Sequence, residues 1–232
     1  MVKRHIKRLT APNTWNLKRK EGTFTAKPLP SGFTNKLSVS LVYLLRYILK
    51  VARTAKEVRN ILITKEVLVD NKKIIELKYG VGLMDVISIP AIQKQYRLII
   101  TQAGYVAAVE ISAQESSMKP LKIVAKNKVR TGKLQYTLLD GTTFFDTTNY
   151  KKGDSVLFDT QHKKVKDHFA FTAGNYVYLI DGKSIGKHGV LESMDEKIIT
   201  LSTPNGEKIQ TLKEYGMIIG KKSAAVTVEH KA

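Results

Sequence analysis

From Tyr96 onward the chain is a succession of short segments of alternating or β-branched apolar residues, cut at close intervals by Gly, Asn and Asp. Segments of this length are too short for a helix to bury a useful face, so they read as strands. "YRLIIT" and "YVAAVEI" flank Gln102-Ala103-Gly104. "LKIVAKNKV" and "LQYTLLD" flank Arg130-Thr131-Gly132-Lys133. "DSVLFD" and "VKDHFAF" flank the basic turn Gln161-His162-Lys163-Lys164. The pattern resumes in "NYVYLI", "HGVLESM", "KIITLST", the Asn205-Gly206 hairpin, "EKIQTL" and "GMIIG". Many short strands with glycine turns restrict this region to small barrels or open sheets.

The region before it differs. In "SVSLVYLLRYILKVARTAKEVRNILI", residues 38 to 63, Leu41, Leu44, Leu45, Ile48 and Ala52 recur at the helical period and mark a buried face. Tyr43, Arg46, Tyr47, Lys50 and Arg53 lie opposite. Thr54-Ala-Lys-Glu57 has the spacing of a capping box and starts a second helix, buried through Ala55, Val58, Ile61 and Leu62, with Lys56, Arg59 and Asn60 facing out. A helical hairpin with a positive outer surface is expected. Val67, Val69 and the run Ile74, Ile75, Leu77 read as short strands around Asp70-Asn71. Gly80 and Gly82 mark a loop before the strand "DVISI", and Pro90 closes the unit.

The charge balance narrows the partners. Among 232 residues, 39 Lys and Arg face 20 Asp and Glu, a net charge of +19, which points to a polyanion because each neutralised phosphate releases counterions. The first thirty residues carry eight Lys or Arg against one Glu, and Pro12, Pro28 and Pro30 interrupt any regular element, so they read as an extended basic arm. Trp15, the single tryptophan, pins that arm either by stacking on a base or by packing on its own protein. The absence of cysteine excludes disulfides, thiolate catalysis and Cys-containing zinc fingers. His5, His162, His168, His188 and His230 form no H-x-x-x-H pair, and no metal or cofactor is expected. No apolar stretch approaches the ~20 residues that cross a bilayer, and "MVKRHIKRLTAP" lacks the apolar core of a signal peptide, so a cytoplasmic protein with no membrane partner is expected.

"YLIDGKSIGKHGVL", residues 178 to 191, comes near a Walker phosphate loop through Gly182, Gly186 and Lys187. Only three residues separate the glycines, His188 replaces the magnesium-binding hydroxyl, and the sequence that follows reads as a strand where a phosphate loop needs a helix N-terminus. A glycine-bearing turn between two strands accounts for the same spacing, with Lys183, Lys187 and His188 pointing outward.

"DGKSIGKHGVL" resembles the KOW motif, a β-loop-β element of SH3-like barrels, with its glycine and apolar pair at Gly189-Val190. "ITKEVLVDNKKI" and "YGVGLMDVISI", with the hairpin before them, resemble the S-four-type RNA-binding domain. Val67, Val69, Asp70 and Lys72 are kept, while Lys65-Glu66 and Asn71 stand where glycines are usual. The order of arm, S-four-type domain, β-rich middle and KOW element is similar over essentially the whole chain to the S-four-e family of small-subunit ribosomal proteins.

That resemblance implies an α+β multidomain fold: a basic N-terminal arm at 1–37, an α-helical hairpin on a small sheet (S-four-type) at 38–94, a central β-rich domain at 95–170 and a C-terminal SH3-like β-barrel (KOW) with tail at 171–232. It implies a non-enzymatic constituent of the small ribosomal subunit in the cytoplasm, with small-subunit ribosomal RNA and neighbouring ribosomal proteins as partners and no small-molecule substrate. The expected RNA contacts are Lys3, Arg4, Lys7, Arg8, Trp15, Lys18, Arg19 and Lys20 in the arm; Arg46, Lys50, Arg53, Lys56 and Arg59 on the helices; Lys72 and Lys73 at the turn; and Lys183, Lys187 and His188 in the loop. The alternative is an RNA-modifying enzyme that carries an S-four-type domain. It lacks a visible catalytic body, since Asp140, Asp146, Asp154 and Asp181 fall in turns, where Asp is favoured for backbone reasons, and no G-x-G-x-x-G occurs. A transcription elongation factor would account for the KOW element only.

Overall fold

Among the described residues helix is confined to two stretches and a few short 3₁₀ turns, and strands build the rest of the ordered framework. The computed structural model describes residues 5–18, 20–129 and 133–229. They separate into two units, one holding the chain up to Ile100 together with Tyr105–Ser117, the other Thr101–Gly104 together with Met118–Glu229.

In the first unit, β1 (His5–Lys7) pairs antiparallel with β2 (Phe24–Ala26), so the described part of the basic arm folds back on itself. Next come β3 (Ser38–Ser40), α1 (Leu41–Tyr43), a π-turn over Leu44–Ile48 and α2 (Ala55–Thr64). The first helix is therefore shorter than its apolar period suggests. Ser38–Ser40 are claimed by a strand partner, and Lys50 turns the backbone left-handed at φ 53° before Ala52. Leu41, Leu44, Leu45 and Ala52 are buried as expected, but so is Tyr43, which the period placed outside. In α2 the capping box is present: Thr54 Oγ1 accepts from the Glu57 amide at 3.2 Å, and the Glu57 carboxylate accepts from the Arg53 and Thr54 amides. Val58 and Leu62 are fully buried, while Ala55 in the first turn is exposed. Lys65 ends the helix in an extended conformation, φ −113° and ψ 145°, so this exit needs no left-handed residue and tolerates Lys65-Glu66 without a glycine.

The strands β4 (Leu68–Val69) and β5 (Lys72–Lys73) are joined by Asp70 and Asn71, both left-handed at φ 48° and 62°. Asn and Asp tolerate that region better than other non-glycine residues, which explains Asn71 in a glycine's place. The Ile74, Ile75, Leu77 run lies beyond this pair and is not strand. β6 (Gly80–Gly82) is strand where a loop was expected, pairing with β3. Its glycines are needed for close packing: a Cβ on Gly82 would lie 1.9 Å from the Phe33 ring. β7 (Val86–Ile89), β8 (Lys94–Ile100) and β9 (Val106–Glu110) complete an antiparallel sheet of order β5-β4-β7-β8-β9.

The second unit contains two five-stranded antiparallel sheets. β10 (Met118–Lys128) pairs through its first half with β13 (Ser155–Asp159) and through its second half with β11 (Leu134–Leu138); β12 (Thr143–Asp146) and β14 (Lys164–Phe169) form the edges. Its core joins Leu121, Ile123, Tyr136, Leu138, Phe144, Tyr150, Val156 and Phe158. Tyr136 resolves its own polar end by donating to the Thr148 carbonyl at 2.7 Å and accepting from the Tyr150 amide at 3.1 Å. The other sheet is a meander of β15 (Tyr176–Leu179), β16 (His188–Met194), β17 (Ile198–Ser202) and β18 (Lys208–Leu212), with β19 (Gly216–Gly220) returning beside β15. Lys122 ties β10 to the approach to β19: its ammonium donates to the Glu214 carbonyl at 2.6 Å and the Gly216 carbonyl at 2.7 Å.

Two outcomes follow from this packing. A Cβ on Gly189 would lie 2.1 Å from the Ser202 carbonyl oxygen, a backbone atom that cannot rotate away, whereas a Cβ on Gly206 meets nothing and only its φ of 81° resists substitution. Gly189→Ala is expected to cost on the order of 3 kcal/mol, against about 1 kcal/mol for Gly206→Ala, in urea unfolding. Burial pushes the Lys122 ammonium down to about 8 from its usual 10.5. Between those values the unfolded chain holds a proton that the folded chain has released, so this residue's contribution to stability rises with pH. The stability difference between wild type and Lys122→Met is expected to shift in favour of wild type by about 3 kcal/mol from pH 7 to pH 10.5.

Candidate nucleic-acid interface

The expected contact residues divide by what their side chains touch. Lys3, Arg4 and Arg19 lie outside the described residues. Lys7 and Lys20 in the arm, Lys50 after the π-turn, Lys56 and Arg59 on α2, Lys72 on β5 and Lys183 in the 180–187 loop are exposed and pair with no described carboxylate. Such side chains hold a full charge in water with nothing to neutralise it. Arg53 is exposed beside Glu57, and its carbonyl accepts from Arg46 Nε at 3.0 Å. Lys18, Lys73 and Lys187 are already engaged, each 3.1 Å from a carboxylate of Glu21, Glu66 and Glu207 respectively. These exposed pairs contribute little to stability and open readily to a phosphate.

Three candidates are withdrawn because the fold uses them internally. Trp15 is only 3% exposed: its ring stacks on Tyr43 at 5.6 Å, and Nε1 donates to the Ser38 carbonyl at 2.9 Å and to that of Asn35 at 3.1 Å. Of the two uses open to this tryptophan, packing on its own protein is the one realised, and it accounts for the burial of Tyr43. Arg8 is 8% exposed and donates to the Lys18 carbonyl at 2.9 Å and to Tyr47 Oη at 3.0 Å, so it staples the arm to the helical segment. His188 does not point outward. It opens β16 at 4% exposure, its Nδ1 lies 2.7 Å from Tyr176 Oη, and its ring is parallel to that of Tyr178. Burial lowers its pKa from the usual histidine range, which disfavours the charged form that would hold a phosphate.

The 180–187 loop joins β15 to β16, with Gly182 and Gly186 left-handed at φ 87° and 81°. A strand follows it, so no helix N-terminus is present to hold a nucleotide phosphate. The aspartates weighed as catalytic acids are occupied by local structure. Asp140 pairs with the buried Lys119 at 3.2 Å, Asp146 accepts from the Thr147 and Thr148 amides and from Tyr150 Oη, and Asp154 accepts from the Lys151 and Phe171 amides. Asp181 accepts from the Gly182 amide. No cluster of His, Asp and Glu that could hold a metal occurs among the described residues.

A feature that the sequence reading missed is a cavity of about 390 Å³ in the first unit, lined among others by Phe24, Tyr47, Arg46 and Lys78. These residues come from three separate parts of the chain, and no local spacing connects them.

Fold and surface define a basic, strand-rich protein that displays unpaired cations from several small elements. The ribosomal family S4e matches residues 92–165 and the RS4NT (NUC023) domain matches residues 2–30. The small ribosomal subunit protein eS4 of Methanocella arvoryzae is 38% identical over 97% of this chain and 98% of its own length, and that of Archaeoglobus fulgidus is 36% identical over 97% and 96%. The crystal structure of the 30S ribosomal protein S4e from Thermoplasma acidophilum superposes with a TM-score of 0.69 at 26% identity, covering 80% of this chain and 96% of that one. The chain belongs to the S4e family of ribosomal proteins.

The packing of Trp15 is checked by fluorescence, since the chain has no other tryptophan. Emission of the free protein is expected to be blue-shifted and poorly quenched by acrylamide, and Trp15→Ala to cost roughly 3–5 kcal/mol in urea unfolding.

Proposed function

We propose that this chain is a structural constituent of the small ribosomal subunit, which binds small-subunit ribosomal RNA through its basic surfaces and stabilises the folded RNA. The observation that carries this reading is full-length similarity to proteins named small ribosomal subunit protein eS4. The net charge of +19 supplies the physics: cations displayed by several elements neutralise phosphates that RNA folding brings together, and releasing the counterions favours the complex. The role is non-enzymatic, in the cytoplasm with the ribosome, beside neighbouring ribosomal proteins. No helix among the described residues is long and apolar enough to cross a membrane.

The finer layout belongs to the same proposal. The helical segments between Leu41 and Thr64 act with the sheet that follows as an S-four-type hairpin module, and the meander from β15 to β19 acts as an SH3-like barrel with a KOW loop at 180–187. The segments 1–37, 38–94, 95–170 and 171–232 serve as arm, hairpin domain, central domain and barrel. RNA is recognised by shape and backbone, since an A-form duplex presents 2′-hydroxyls and phosphates more openly than base edges.

The test is a salt titration of binding to small-subunit ribosomal RNA. Lys50, Lys56 and Arg59 are exposed, so replacing all three by Ala is expected to leave the fold intact. The slope of log affinity against log salt should flatten by about 0.7–0.9 for every phosphate that the variant no longer neutralises. A wild-type chain that ignores this RNA at moderate salt would overturn the proposal, and an unchanged slope would remove the helical face from the interface.

A further inference from the structure

The cavity in the first unit combines two chemistries that rarely share a wall. Phe24 is 52% exposed on a short two-stranded ribbon and meets the His5 ring in a T-shaped contact at 4.6 Å, so much of the phenyl ring is open to solvent. Tyr47 also lines the cavity, held by stacking on Tyr43 at 5.2 Å and by Arg8 Nη2, which donates to its hydroxyl at 3.0 Å. Arg46 lies 5.0 Å from the Tyr47 ring centre, and Lys78 adds a second cation. Neither Arg46 nor Lys78 pairs with a described carboxylate, and no carboxylate lines the cavity. The Tyr47 wall is rigid because the stack continues through Tyr43 to the buried Trp15.

An exposed aromatic face beside unneutralised cations suits a ligand that is flat and apolar at one end and anionic at the other. Inorganic anions have no use for Phe24, and a duplex presents its bases edge-on inside the stack. A nucleotide turned out of a helix offers both parts, and base-on-aromatic stacking is the common means by which proteins hold unpaired bases. The volume, about 390 Å³, lies in the ~300–1,000 Å³ range of small-ligand sites.

We propose that this cavity receives one unpaired nucleotide of RNA, its base against the Phe24 and Tyr47 rings and its phosphate held by Arg46 and Lys78. The inference rests on the RNA-binding reading above and adds to it a single-nucleotide site with a preference for bulges or loops.

The experiment compares, with the full-length chain, an RNA hairpin carrying one bulged 2-aminopurine and the same hairpin fully paired. The bulged hairpin should bind more tightly, and its 2-aminopurine emission should be quenched on binding. Phe24→Ala should weaken the bulged hairpin about five- to 150-fold while leaving the paired one unchanged, and Phe24→Tyr should restore the preference. Arg46→Ala with Lys78→Ala should lower bulge affinity and reduce its salt slope. Unaltered Trp15 emission in each variant verifies that the first unit is folded. Equal affinity of wild type for both hairpins, or binding of neither, would overturn this inference, while the ribosomal reading stands or falls separately on the salt titration with small-subunit ribosomal RNA. Displacement of the bulged hairpin by inorganic phosphate at matched ionic strength would reduce the cavity to an anion site, and displacement by an acidic, aromatic peptide alone would assign it to a protein partner. Either result sinks the proposal.

Discussion

Burying a cation in a protein interior is costly unless hydrogen-bond acceptors replace its water, and this chain buries several of its cations. Among the described residues, four Lys and Arg side chains are buried: Arg8, Arg97, Lys119 and Lys122. Each finds a local partner, although Arg8 Nε is buried without a hydrogen bond. Arg97 is fully buried on β8 and binds the Glu115 carboxylate at 3.1 Å and its carbonyl at 3.0 Å; Lys119 meets Asp140; Lys122 takes two backbone carbonyls. Arg8 relies on a carbonyl and a tyrosine hydroxyl, with Glu21 at 3.9 Å. The anchors do more than neutralise. Arg8 holds the arm against the helical segment, and Lys122 joins strands whose sequence positions are far apart.

Among the described residues, several of the exposed cations, such as Lys7, Lys50, Lys56 and Arg59, pair with no described carboxylate, and that is itself informative. Selection for stability alone would pair more of them, since an excess of one sign destabilises a folded chain by self-repulsion. That repulsion is relieved when a polyanion binds.

The π-turn over Leu44–Ile48 connects fold and surface most directly. It ends the first helix early, presents Tyr43 and Tyr47 as a stacked pair, and sets Arg46 beside Tyr47. Wide turns of this kind inside helices are frequent at functional sites, because they re-aim side chains that a regular helix would spread around its axis. Here they line a cavity together with Phe24, which reaches it from β2.

The sequence by itself determined the strands from Tyr96 onward other than β12, the hairpin turns among the described residues (Arg130, Thr131 and Gly132 of one expected turn lie outside them), the capping box at Thr54 and Glu57, and the overall basic character, because each is written in neighbouring residues at short periods. It also carried the family, through the order of its pieces. Tertiary structure alone decided which aromatic and cationic side chains are inside. Trp15, Tyr43 and His188 are buried by partners brought in from elsewhere in the chain, and β3 and β6 exist because they pair with each other across about forty residues. Burial and pairing at long range depend on where the backbone returns in space, and no local pattern of residue types encodes that return.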